Sequence, residues 1–302
     1  MNKEVEKLLN EQSLYYYDLL NETMHDIPDI ENKAPLVKYI EYKRNGNTHD
    51  PDSKSEILQE IYKLLWGDLC SQWFMQKKNG RICSDNMTSA QNFVNQAMKK
   101  EAFLQKDKYK ECRENKQKYS TNFMIKVYEK DKKEKDKELT ELFNEYNLNT
   151  LIRVYHTIGN YCPVPRYFNK ARAGYKSAVC DLWDLTLMKI NEYYILKGDP
   201  ILKGDPQQES RIFDELFHGQ NNPLPCKAWL DYFGSWKKFV NSNFFNSYVD
   251  DDYNVIPFWE GHSWNNIGLP KDKEMFRKAV EGIRQRIILR GLKIECKLWE
   301  KI

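Results

Sequence analysis

Apolar residues recur three or four positions apart along most of the chain, the spacing that gathers them on one face of an α-helix. Val5, Leu8, Leu9, Tyr16, Leu19 and Leu20 form the first such stripe, and Leu36, Val37 and Ile40 a second, short one ending near Asn45-Gly46. Asp50-Pro51-Asp52 then reads as a turn. Ser53 and Glu56 have capping-box spacing ahead of a helix that carries Ile57, Ile61, Leu64 and Leu65. Residues 70–87 lose this period, and Lys77-Lys78-Asn79-Gly80 reads as the turn of a short hairpin. A further helix starts at Thr88 or Ser89 and uses Phe93, Val94, Ala97 and Met98. Residues 99–138 are crowded with Lys and Glu, as expected for an exposed helical pair with solvated faces. Leu139, Leu142, Phe143 and Tyr146 resume a core-facing stripe.

The second half reads in the same way. A helix is predicted from about Tyr175 to Leu196, with Val179, Leu182, Trp183, Leu187, Ile190 and Tyr194 among its apolar positions. At its end the hexad ILKGDP occurs twice in tandem, Ile195–Pro200 and Ile201–Pro206. Two copies are too few for a solenoid, so the duplication reads as a lengthened surface loop. Trp229, Phe233, Trp236 and Phe239 lie at helical spacing and read as core. After Pro270 an amphipathic helix uses Phe276, Val280, Ile283, Ile287 and Ile288 and is expected to stop at Gly291. The whole predicts a mostly α, irregular multi-helix globular fold with at most a small β hairpin or sheet. Residues 1–150 would form an N-terminal helical part and residues 151–302 a C-terminal, aromatic-rich part, or the two would make one continuous domain.

Composition narrows this picture. With 8 Trp, 19 Tyr and 14 Phe, the chain has ample material for a core, since each buried ring removes roughly 150–250 Å² from water. Net charge is only +3, from 47 basic and 44 acidic residues, so charge gives no argument for phosphate neutralisation; nucleic acid remains a partner without support from it. The 7 Cys are widely spaced and include no CxxC, which favours reduced thiols and a cytoplasmic setting. No apolar run reaches the roughly 18 residues that a membrane span needs.

Three segments in order carry a resemblance: Asp50-Pro51-Asp52-Ser53 leading to Leu64-Leu65-Trp66; Thr157-Ile158-Gly159-Asn160 with Pro163-Val164-Pro165, Phe168-Asn169, Arg172 and Asp181–Leu187; and Phe258–His262 followed by Ile287 to Gly291. Together with Ser84-Asp85 they resemble an uncharacterised bacterial family of about this length, which implies no established activity. The Ile-Gly-Asn, Pro, Phe-Asn block is also similar to the closing block of the HNH-like domain of modification-dependent restriction endonucleases. That second likeness implies a metal-dependent hydrolase or nuclease acting on nucleic acid, in phage defence. The His-centred half that precedes the block in those enzymes has no counterpart here.

The residues themselves carry little chemistry outright. No nucleophile elbow, phosphate loop or zinc-finger spacing occurs. Asp250, Asp252 and Glu260 have the oxygens to hold a hard divalent metal, with His262 as the base of a hydrolytic step and Asn160 as an orienting group. Arg166, Asn169 and Arg172 surround the Gly-Asn block and are the candidate anion contacts. Each has a plainer reading: an acidic turn, a structural Asn, and a rim of long side chains. The expectation is a non-catalytic binding or interaction protein with no resident cofactor, a divalent metal entering only under the hydrolase alternative.

Overall fold

The computed structural model describes residues 42–44, 47–49, 56–76, 79–88, 144–155, 157–168, 182–198, 206–217, 224–266 and 270–301. The predicted helices at residues 5–20, 36–40 and 88–98 and the charged run 99–138 lie outside them. Helical residues make up 66% of the described residues, most of them in seven α-helices, so the fold is mostly α. They are α1 (Glu56–Leu69), α2 (Leu148–Tyr155), α3 (Trp183–Gly198), α4 (Pro206–Phe217), α5 (Leu224–Phe233), α6 (Trp236–Ser242) and α7 (Lys273–Trp299).

Among the described residues, strand content is two small antiparallel pairs. β1 (Tyr42–Arg44) and β2 (Asn47–His49) pair across Asn45-Gly46, where the sequence suggested a helix end. Asn-Gly is the dipeptide that best tolerates the left-handed backbone of a two-residue hairpin loop, so the same letters serve a hairpin equally well. β3 (Ser84–Asn86) pairs with β4 (Tyr161–Pro163), joining chain segments far apart in sequence. The expected turn around residues 77–80 is closed by the Met75–Ile82 bridge, with Gly80 at φ 67°.

The buried apolar residues make one cluster reaching from Leu58 on α1 to Leu298 on α7. Its centre is aromatic. The Phe168 ring lies 5.6 Å from Trp183 of α3, 5.5 Å from Phe217 of α4 and 5.9 Å from Trp229 of α5. The Trp229–Phe239 stripe is core, as its spacing predicts, but on two helices rather than one. Gly234 at φ 68° turns the chain, and the Ser235 side chain accepts from the Lys238 N–H to start α6.

Helix α7 begins where expected, with the Asp272 side chain accepting from Met275 N–H at 2.8 Å. It does not stop at Gly291: it runs on to Trp299, about 40 Å in all. The backbone of residue 159 crosses the helix at that point, where a Cβ on Gly291 would make only ordinary contacts, 3.5 Å from Gly159 N at the nearest. No disulfide joins Cys70, Cys83, Cys162, Cys226 and Cys296, while Cys112 and Cys180 lie outside the described residues. Among the described residues no helix is long and apolar enough to cross a membrane.

Near the end of α7, burial pushes the Glu295 carboxyl up from 4.5 to about 7. A raised carboxylate stabilises the fold at low pH and loses that contribution as pH rises from about 4.5 through about 7, because the unfolded chain gives up the proton first. Glu295→Gln should therefore raise the melting temperature above pH 7, by up to a few kcal/mol in stability, and make little difference below pH 4.5. Thermal melts across that range check the sign.

Candidate functional site

The family-like block lies where α7 crosses a short 3-10 turn, Ile158–Asn160, which leads straight into β4. Gly159 has no positive φ, contrary to what its place in a turn suggests. Its requirement is steric: a Cβ there would stand 1.9 Å from the Ile287 carbonyl oxygen and 2.9 Å from Gly291 N. Two backbones touch where both side chains are hydrogen.

Arg290, on the same face of α7, is fully buried. Its Nη1 donates to the carbonyls of Gly159 at 2.9 Å and Tyr161 at 2.8 Å, with a longer bond to Ile158. Nε and Nη2 donate to the Asn243 carbonyl at 3.3 Å each, and the guanidinium lies 5.1 Å over the Phe245 ring. Its charge is met by carbonyl dipoles and a ring face. One side chain thus ties the 3-10 turn, the start of β4 and the end of α6 to the last helix.

Asn160 is wholly buried and fully used. Its Oδ1 accepts from Thr88 N–H and its Nδ2 donates to Thr88 O, both at 3.1 Å, while its carbonyl accepts from Met87 N–H at 2.8 Å. The amide continues the β3–β4 pairing by one residue, in the manner of a strand. The Thr88 backbone lies 72 residues away in sequence, so the structural Asn is a long-range clasp.

A second buried polar unit fastens the loop that follows Pro257. Asp184, in the first turn of α3, accepts from Phe258 N–H at 2.8 Å and from His262 Nδ1 at 2.5 Å, both on Oδ2. Facing a carboxylate, Nδ1 carries a proton. The Trp259 ring stacks on the imidazole at 3.7 Å, and neither the His262 nor the Asp184 side chain is exposed. Nε2 of His262 and Oδ1 of Asp184 have no hydrogen-bond partner. Arg286 of α7 secures the same loop by donating to the carbonyls of Ile256 and Pro257.

The remaining candidates fall elsewhere. Asp250 is exposed; its Oδ1 accepts from the backbone of Asp252 and Asn254 and its Oδ2 from the Asn254 side chain. Those bonds, the Asn254 backbone first, hold its carboxyl below the usual range. Asp252 and Glu260 are also exposed, whereas His262 is buried. Among the described residues no group of three His, Cys, Asp or Glu could hold a metal ion. Arg172 and Asn169 lie outside the described residues.

Arg166 sits at a different edge. Its N–H donates to the Trp73 carbonyl at 3.0 Å, and its half-buried guanidinium has an enclosed Nε with no acceptor. The Trp73 ring meets Tyr232 edge-on at 5.2 Å, and Tyr232 is 58% exposed. Tyr167, next in sequence to Arg166, is exposed too and held at φ 72°, a conformation that costs a residue with a Cβ.

A model of a family of unknown function, DUF6994, matches residues 37–294, nearly the whole chain. No curated protein and no solved structure matches. The echo of the HNH-like block gains nothing from these comparisons.

Proposed function

We propose a function from the premise that the chain belongs to DUF6994, a family of unknown function: it is a non-catalytic binding or interaction protein. One observation carries this reading. The polar residues that would do chemistry in the family-like block are buried and bonded to main chain, with Asn160 closed on Thr88 and Asp184 on Phe258. Groups spent in that way are fasteners, since each would leave buried donors or acceptors unmet if it moved. Exposed aromatic residues such as Tyr232 offer contact surface instead.

A hydrolase reading has one feature in its favour. The Asp184–His262 pair presents the orientation of an acid–base dyad, with Nε2 unpartnered. Its complete burial under Trp259 speaks for a structural role, because a general base must reach the proton that it takes.

His262→Gln separates the two. As a fastener, His262 should cost about 3 kcal/mol when replaced, since its loss leaves part of a buried carboxylate unmet. The purified chain should hydrolyse neither single-stranded nor duplex DNA or RNA in the presence of magnesium, manganese or zinc. Turnover by the wild type that His262→Gln abolishes, at unchanged melting temperature, would overturn the binding reading.

A further inference from the structure

We propose that the edge formed by Trp73, Arg166 and Tyr232 receives a short extended segment of a partner protein carrying a carboxylate beside an aromatic or large apolar side chain, an assignment that rests on the binding-protein reading above. Several of the partly exposed cations already have a carboxylate: Lys197 and Lys227 share Asp231, and Lys273 has Glu145. Arg166 has none, although its guanidinium is half-buried and its Nε is enclosed by protein. An arginine stays charged at any physiological pH, so a partly desolvated guanidinium without a counter-charge is a standing deficit that an incoming anion relieves.

The setting decides which anion. The Arg166 backbone is bonded to Trp73, and the Trp73 ring continues edge-on into exposed Tyr232, itself packed 5.3 Å from Phe233. Trp, Tyr and Arg together are the residue types in which protein interfaces concentrate their binding energy. A nucleic-acid backbone would call for several free cations along a track. Here one arginine without a carboxylate among the described residues is tied through its backbone to Trp73, whose ring meets exposed Tyr232, on a chain with a net charge of only +3, which suits one carboxylate and one ring.

The probe is a library of short random peptides selected on the full-length chain, with the enriched sequences measured by fluorescence anisotropy. Enrichment of Asp or Glu next to an aromatic or large apolar residue is expected. Affinity should fall about tenfold or more in Arg166→Ala and in Tyr232→Ala, and only partly recover in Arg166→Lys, because an ammonium cannot present the two-pronged donor set. Melting temperatures of these variants should stay at the wild-type value, and added salt should weaken binding. Failure to enrich any peptide, enrichment without acidic residues, or binding indifferent to Arg166→Ala would overturn the assignment. So would single-stranded oligonucleotide binding that Arg166→Ala weakens while peptides do not bind. None of these outcomes produces His262-dependent turnover, so they leave the broader binding reading to its own test.

Discussion

Gly159→Ala should strip the protein of about 3 kcal/mol or more and lower its melting temperature on the order of 10 °C. The new methyl would arrive 1.9 Å from the Ile287 carbonyl oxygen and 2.9 Å from the Gly291 nitrogen, inside any tolerable contact. Both obstacles are backbone atoms of α7, which cannot swing aside as a side chain can. Relief requires the helix to retreat from the 3-10 turn, and that movement would pull Arg290 away from the carbonyls of Gly159 and Tyr161. Gly282→Ala is the matched control: it lies in the same helix with nothing within 4 Å of its would-be Cβ. There the better helix propensity of alanine should leave stability unchanged or slightly raised. Thermal unfolding followed by circular dichroism compares the two. Equal melting temperatures would show that the crossing is looser than the geometry states.

Arg290→Met is the second large effect, expected to cost about 3–5 kcal/mol. Methionine keeps much of the apolar volume over Phe245 but leaves the carbonyls of Gly159, Tyr161 and Asn243 without this donor in a region closed to water. Arg290→Lys should recover little. One ammonium on a single stem cannot donate to Tyr161 on one side and to Asn243 on the other, as the guanidinium fork does. Denaturant unfolding of the three proteins provides the comparison, and a lysine variant as stable as wild type would mean that the charge, not the fork, is what the site needs.

The helical character, the buried aromatic stripe and the start of α7 are legible in the sequence because they depend on local periodicity and capping. What escapes is long-range. Asn160 reads as a turn residue, yet its partner is the backbone of Thr88, and no spacing rule reports which distant segment lies opposite. Gly291 reads as a helix stop because glycine commonly ends helices, and nothing nearby in sequence reveals the backbone that crosses α7 there. Arg290 did leave a trace: it continues the apolar row Ile283, Ile287 toward Ile294, and a charge on a buried stripe signals a buried partner. Asp184, in the buried first turn of α3, carries the same signal. The Arg166–Trp73–Tyr232 edge unites three segments remote in sequence, of which only Arg166 was singled out by type and neighbourhood.

The central claim is that the buried polar residues hold the fold and the working surface lies outside them. Equilibrium denaturation of wild type, His262→Gln and Tyr232→Ala tests it most directly. The account predicts that His262→Gln loses about 3 kcal/mol while Tyr232→Ala unfolds at the wild-type midpoint. A His262→Gln protein as stable as wild type would contradict it, since a buried histidine that contributes nothing to stability is one kept for chemistry.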